Sequence, residues 1–303
     1  MNTKVVIAQT SEETAASRHH AISNADTIPN NLEIKEKIGK KGLMWPRLYA
    51  QDHEAASLLN YYSTEGCPVD CGKPWTKEVI EAAIRHGPHQ SARSHDARAA
   101  LREETLRKIE QGFAIKVRYG DIKNAIPEQL KISPVAAIPH KSKSYRVILD
   151  LSFNLMMNNM FLKSVNETTK KMAPQETMVQ LGLTLKRLIA TMADNYDLSK
   201  PFQFCKLDIK DGFWRIVVSF KDAWNFCYVL PSEDGTFTNI DEAKIVVLHA
   251  LQMGWCESPP FFCAASKTAR DVIDNLVNNP IIMPEHKFES RLRSDGPIIE
   301  SIP

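Results

Sequence analysis

The sequence predicts an α+β fold, because helical and strand-like patterns occur in separate runs rather than in a βαβ repeat. The predicted order is helices, a β-hairpin, a long helix, further strands and a last helix. Of the 303 residues, 43% are hydrophobic, which is enough to bury a core.

Composition narrows the function classes before any motif is considered. The chain has 38 Lys+Arg against 36 Asp+Glu, so its total charge does not identify a nucleic-acid-binding protein, although a local basic surface stays open. Six cysteines are too few for a disulfide framework and predict a reducing, intracellular compartment, cytoplasmic or nuclear. The polar start, Met1 to Asn31, and the lack of a long apolar run predict neither secretion nor a membrane partner.

The first third of the chain divides into a flexible tail, residues 1–33, and an N-terminal helical region, residues 34–113. Within that region we expect one helix from Thr76 to the Gly87-Pro88 stop and a second over Ser94 to Gln111. The basic stretch Lys35 to Arg47 suits either a solvated surface or a phosphate backbone, and the solvated surface is favoured.

The rest of the chain divides into residues 114–200 and 201–303. Alternating apolar residues predict a half-buried strand at Phe113–Tyr119, and two further strands joined by a basic link predict a hairpin with a cationic tip. The other expected elements are strands and helices with one apolar face each. They are the hairpin strands Ser133–Pro139 and Tyr145–Leu151, a helix through Met178, Leu181, Leu185, Leu188 and Met192, strands at Phe202–Ile209, Phe213–Ser219, Trp224–Leu230 and Lys244–Leu248, and a helix opened by Ser258-Pro259-Pro260.

Three places in the sequence have residue types that suit chemistry. Asp208 ends an apolar strand before an acidic turn, where a carboxylate suits Mg²⁺ but also suits an ordinary turn. Lys141, Lys143 and Arg146 surround the hairpin tip and could grip a triphosphate, or simply form an exposed turn. Gly254 permits close backbone approach and precedes a predicted helix whose free N–H groups suit an anion. An ordinary structural loop with a helix cap explains the same residues equally well.

A fourth pattern, Cys67 and Cys71 with His86, His89 and His95 downstream, suggests a zinc site. The cysteine spacing is wider than in structural zinc sites, so we interpret the pair as free thiols in a Gly/Pro turn.

The three chemical motifs occur in one particular order that resembles a known family. The stretches are Lys131–Lys141 followed by Tyr145–Ser152, then Lys206–Ile216, then Gln252–Trp255 with Ser258-Pro259. Over residues 114 to 278 they resemble the reverse transcriptase domain of retroelements, most closely the gypsy-type long-terminal-repeat retrotransposons. Residues 45 to 112 resemble what precedes this domain in retroelement-like reading frames of microbial eukaryotes.

The resemblance implies a right-hand polymerase, with fingers at 114–200 and a partial palm at 201–303. It implies RNA or DNA template-primer and deoxynucleoside triphosphates as partners, and Mg²⁺ or Mn²⁺ as cofactor in two-metal nucleotidyl transfer. Asp208 matches the first catalytic, metal-binding aspartate, and the carbonyl of Ile209 would add a ligand. Phe213 matches the aromatic that selects deoxynucleotides, and Ser258 and Pro259 match the template-positioning residues. The implied nucleotide-binding residues are Lys141, Lys143, Arg146, Ile209, Asp211, Gly212, Phe213 and Gly254.

The sequence departs from that family at two places. Met253 stands where the family has an amide, and no Asp-Asp pair, the family's second carboxylate motif, occurs in these residues. We therefore expect a domain truncated before that motif and a poor or inactive catalyst. Two alternatives stay open: a non-catalytic nucleic-acid-binding relic or domesticated mobile-element module, and an unrelated α+β interaction domain.

Overall fold

The computed structural model describes residues 55–141, 143–157, 159–175, 183–194, 208–233 and 239–278. Within these ranges helices and strands combine in a mixed α+β arrangement, as the sequence predicts. The predicted tail, residues 1–33, and the basic stretch Lys35–Arg47 lie outside the described residues.

From residue 55 on, where it is described, the N-terminal helical region contains three α-helices, α1 (Ala56–Glu65), α2 (Lys77–His86) and α3 (His95–Glu110). The hydroxyl of Thr76 accepts from the N–H of Val79, and that of Ser94 accepts from the N–H of Ala97, so both predicted helix starts are confirmed. The sequence did not predict α1. Four α-helices follow in the described part: α4 (Tyr119–Ile122), α5 (Val165–Thr168), α6 (Thr184–Asp194) and α7 (Ser258–Asn278).

The described strands form a three-stranded sheet and two separate hairpins. They are β1 (Ala114–Arg118), β2 (Val135–His140), β3 (Lys143–Leu149), β4 (Leu155–Met157), β5 (Met160–Leu162), β6 (Cys227–Leu230) and β7 (Lys244–Leu248). The sheet is antiparallel with the order β1-β7-β6, so β1 pairs with a strand far along the chain. The predicted hairpin is confirmed as β2–β3, with Ile138 opposite Arg146 and a register shift near the tip.

The prediction of a strand over Phe213–Ser219 is wrong. Gly212–Arg215 forms a 3₁₀ turn instead, after Asp211 in a left-handed conformation with φ +55°, and Val217 and Val218 each make a single isolated bridge. Trp224 also lies in a 3₁₀ turn, so only the second half of the predicted strand Trp224–Leu230 pairs, as β6. Apolar alternation fits both a strand and a 3₁₀ turn, because a run this short has too little periodicity to distinguish them.

Two other predictions fall mostly outside the described residues. The expected strand Phe202–Ile209 is described only at Asp208 and Ile209, which have no strand pairing there. The long helix expected after Pro174 is described as α6, from Thr184.

One hydrophobic core joins the N-terminal helical region to the rest of the chain. Its largest fully buried side chains include Tyr119, Phe226, Trp255 and Phe261. Parallel bridges join Cys67 to Val218 and Ile132 to Cys227 of β6, so early segments of the chain run beside later ones. None of the described helices combines the length and apolar character needed to cross a membrane.

His249, directly after β7, is 1% exposed and stacks on the ring of Phe220 with the centroids 5.6 Å apart. Neither ring nitrogen has a hydrogen-bond partner within the described residues. Burial lowers the pKa of His249 to about 3, from an ordinary value of 6.5. The side chain is therefore neutral in the folded protein, and charging it opposes folding.

We expect the substitution His249→Phe to make folding less sensitive to acid. Below pH 6.5 the unfolded chain takes up a proton that the folded chain refuses until about pH 3, so stability is lost as the pH falls through this window. The free energy of unfolding in urea should fall between about pH 7.5 and pH 5 by about 2 kcal/mol more for the natural protein than for the variant. Equal losses in the two proteins would contradict this role for His249.

Candidate functional site

The β2–β3 hairpin presents its cations on an exposed strand and turn. Lys141 is exposed at the tip, Lys143 opens β3, and Arg146 is exposed in the middle of β3. A guanidinium N–H of Arg146 contacts the thioether sulfur of Met253, which lies in the loop before α7. The hairpin thus touches the third sequence motif directly, through the residue that departs from the family pattern.

The loop before α7 is held in place by its own polar groups. The hydroxyl of Ser258 donates to the carbonyl of Gln252 at 2.8 Å, and the side-chain amide of Gln252 donates to the carbonyl of Ala250 at 2.6 Å. Gly254 has φ +97°, and a Cβ there would lie 3.5 Å from the carbonyl oxygen of Leu149 at the end of β3. The positive φ makes glycine the favoured residue, and the loop packs closely on the hairpin strand.

Asn166 in α5 fastens this loop from the other side. Its amide group donates to the carbonyl of Gly254 at 2.8 Å, and its carbonyl oxygen accepts from the N–H of Cys256 at 3.0 Å. The indole N–H of Trp255 donates to the hydroxyl of Thr169 at 3.1 Å. The loop is therefore clamped between β3 and the α5 segment.

The turn that follows Asp208 packs against α7. Asp208 and Ile209 are exposed, and the ring of Phe213 meets the ring of Phe262 edge to face, with the centroids 5.2 Å apart. A Cβ on Gly212 would lie 2.7 Å from a ring carbon of Phe262, so only glycine fits at this position without movement of the ring. Gly212 thus lets the turn approach α7 closely.

Helix α3 supports the same turn from the N-terminal side. The ammonium of Lys108 lies 3.7 Å above the ring of Trp214 and 3.8 Å from a carboxylate oxygen of Glu104. The hydrogen bonds that Arg107 donates to the carboxylate of Glu104 raise the pKa of Arg107 above its ordinary value, and the negative charge of Asp211 adds to that effect. A cation–π contact of this kind, largely removed from water, contributes about 2 kcal/mol.

The hairpin therefore contacts the loop before α7, through Arg146 on Met253 and Leu149 beside Gly254. The turn after Asp208 contacts α7 itself, through Gly212 and Phe213 on Phe262. Asp208 lies four residues before Gly212 on the exposed side of the turn. Pro259 is part of the first turn of α7, and Lys143 is described by its backbone alone.

Sequence reasoning missed three residues that hold this arrangement: Asn166, Glu257 and Lys108. Glu257 is 2% exposed, and one of its carboxylate oxygens accepts from the N–H of Met172 at 2.8 Å and of Ala173 at 2.9 Å. Glu257 accepts from N–H groups more than eighty residues earlier, so its place before α7 gives no local signal for this role. Nothing local marks Asn166 or Lys108, whose partners lie far along the chain.

The cysteines first considered for zinc are both buried free thiols. Burial raises the pKa of the Cys67 thiol, and it raises that of Cys71 to about 11. The Thr169 hydroxyl lies 3.4 Å from the sulfur of Cys71, so this thiol belongs to the support beneath Trp255.

The described residues do not provide a complete site for two divalent metals. No group of three or more His, Cys, Asp or Glu side chains placed to share an ion occurs among them. Mg²⁺ is often held by one or two carboxylates plus substrate phosphates, and Asp208 with the carbonyl of Ile209 fits only that smaller share.

In comparisons with known proteins, no family model matches the chain, and no curated protein matches it significantly.

Proposed function

We propose that this chain is a nucleic-acid polymerase domain of the reverse transcriptase type, with fingers at 114–200 and part of the palm at 201–303. One observation carries the proposal: the hairpin and the turn after Asp208, from separate parts of the sequence, pack against α7 and the loop that precedes it. Its partners would be an RNA or DNA template-primer and deoxynucleoside triphosphates.

The proposed nucleotide site uses the cations of the hairpin. Arg146 is exposed, and its contact with the sulfur of Met253 is easily given up, because a thioether is a weak acceptor. A triphosphate offers a charged, bidentate partner in its place. Lys141 at the tip adds a second positive charge, and Phe213 would face the sugar.

The proposed activity of this 303-residue chain is binding rather than synthesis. Asp208 supplies one carboxylate, and the sequence has no Asp-Asp pair to supply a second set. Charge neutralisation by metals carries most of the catalysis of phosphoryl transfer, so losing one set should slow it about a thousandfold or more.

We expect Arg146→Ala to weaken binding of a deoxynucleoside triphosphate by roughly 10- to 100-fold, because a hydrogen-bonded charge pair contributes about 1.5–3 kcal/mol. The measurement is titration calorimetry of the full chain, saturated with a primer-template, in the presence of Mg²⁺. Primer extension by the same chain should be undetectable.

The matched control is Arg85→Ala. Arg85 is an exposed arginine on α2 that pairs with Glu81 of the same helix at 3.1 Å. Its loss should leave the nucleotide affinity within about twofold, as for an exposed ion pair. Nucleotide affinity that is the same in both variants would refute the assigned site, and robust synthesis that depends on Asp208 would refute the assigned inactivity.

The incomplete carboxylate set favours a second candidate, a non-catalytic nucleic-acid-binding module. Such a module would bind the primer-template with steep salt dependence, because phosphate contacts release counterions. It would show no added affinity for a nucleotide that matches the template. The calorimetric experiment separates the two candidates, because only the polymerase-type site predicts template-matched nucleotide binding that Arg146 controls.

A further inference from the structure

An open cleft of about 540 Å³ lies beside the segment that follows α5. Four loops from distant parts of the chain line it, and none of its lining residues has a role in the proposed nucleotide site. Its polar side chains are Asp70, Lys73, Gln129, Lys170, Lys221 and Asp222.

The charges around this cleft favour an anion. Lys170 pairs with Asp70 at 2.6 Å, while Lys73 and Lys221 are exposed and make no ion pair with a described acidic side chain. The lining has three lysines, Lys73, Lys170 and Lys221, and two carboxylates, Asp70 and Asp222. The cleft therefore has more positive than negative charge.

A buried cation adds to this charge from behind the wall. Lys131 is 1% exposed, and its ammonium donates to the carbonyls of Cys71 and Gly72, which form the wall beside Lys73. Burial lowers the pKa of Lys131, because removing the ammonium group from water disfavours its charged form. Its field acts through protein rather than water and is poorly screened.

The cleft lies next to the loop that the proposed function assigns to the template. Asn166 binds that loop at Gly254, while Lys170, four residues later, binds the cleft wall through the carbonyl and carboxylate of Asp70. Four residues span at most about 14 Å, so a strand that leaves the loop reaches the cleft within a few nucleotides.

We propose that this cleft binds the phosphodiester backbone of single-stranded nucleic acid, as the continuation of the strand held at the α7 loop. In naming that path, the inference rests on the proposed function. Lys73 and Lys221 contact phosphates, and Met172, whose side chain is 45% exposed on the cleft wall, gives a base or sugar an apolar surface. A basic groove with nearby apolar contact is the usual way to bind single strands without reading their sequence.

The test is fluorescence anisotropy of the full chain with a labelled single strand of about 20 nucleotides, in EDTA and without nucleotide, between about 50 and 200 mM salt. The double variant Lys73→Gln/Lys221→Gln should weaken binding about tenfold or more at the lowest salt. It should also reduce the salt slope by about 1.4, since each lost contact to a single strand removes about 0.7.

The matched control is Lys186→Gln/Lys244→Gln, which removes the same charge from two exposed lysines outside the cleft. Its affinity should stay within about twofold of the natural protein. Equal weakening by the two double variants would overturn the cleft assignment. Displacement of the strand by micromolar tripolyphosphate would overturn the choice of a nucleic-acid strand in favour of a small polyphosphate.

This outcome is separate from the test of the proposed function. If Arg146→Ala loses nucleotide affinity but Lys73→Gln/Lys221→Gln binds the single strand as tightly as the natural protein, only the cleft inference fails. If Lys73→Gln/Lys221→Gln loses strand affinity but Arg146→Ala keeps its nucleotide affinity, only the nucleotide site fails.

Discussion

The substitution Gly66→Ala is expected to destabilise the protein by about 3 kcal/mol or more, because the backbone leaves no room for a methyl group. A Cβ at Gly66 would lie 2.5 Å from the N of Ser219 and 2.5 Å from the carbonyl carbon of Val218. Gly66 also has φ +85° and ψ 162°, a region that other residues rarely enter. The loss is a large part of the 5–15 kcal/mol that stabilises a typical domain.

The control Gly87→Ala separates the overlap from the backbone strain. Gly87 ends α2 with a similar conformation, φ +68° and ψ −152°, but the nearest atom to an added Cβ, the oxygen of Ile84, is 4.0 Å away. Gly87→Ala should lower the free energy of unfolding by about 1–3 kcal/mol, from backbone strain alone. Chemical denaturation of both variants measures the difference, and a Gly66→Ala protein as stable as the Gly87→Ala protein would contradict the predicted overlap.

We expect Glu257→Ala to cost about 3 kcal/mol and to release the segment around Met172. The carboxylate of Glu257 satisfies two backbone N–H groups, one of them in the buried residue Ala173, and also accepts from the amide of Gln175 at 3.2 Å. Buried donors left without partners cost about 1–3 kcal/mol each. Denaturation gives the loss of stability, and amide hydrogen exchange at residues 172 and 173 shows whether the segment opens.

Glu257→Gln is the conservative variant for this test. Its side-chain oxygen can still accept from the two N–H groups, but its NH₂ group meets the NH₂ group of Gln175, so we expect about half the loss of Glu257→Ala. Unchanged exchange at residues 172 and 173 in Glu257→Ala would show that other groups hold this segment.

Local sequence signals predicted the elements that local chemistry determines. Thr76 and Ser94 start their helices as expected, because an N-cap hydroxyl and the apolar face after it are both local signals. The β2–β3 hairpin was also predicted, since two β-prone runs with a short polar link favour antiparallel pairing. The strand predicted at Phe213–Ser219 was wrong, because a short apolar alternation fits a 3₁₀ turn followed by single bridges as well as it fits a strand.

Residue type and motif order single out the members of the candidate site, whose role stays a prediction, but they do not single out its supports. Arg146, Gly254 and Gly212 stand out by residue type, and their positions in the fold give each a physical reason. The side chains that fix them, Asn166 and Lys108, act on partners tens of residues away or more. Contacts between residues so far apart in sequence depend on the topology of the fold, so they cannot be predicted from a single sequence.

The pairing of β1 with β7 affects how the chain folds during synthesis. Arg118 has its sheet partner, Lys244, more than a hundred residues later, so β1 leaves the ribosome long before the strand that completes its hydrogen bonds. At about 5–20 residues per second, the wait is roughly 6 to 25 seconds. During that time Ile115 and Val117, which are buried in the finished sheet, stay open to other proteins, and chaperones that shield apolar segments would find their substrate there.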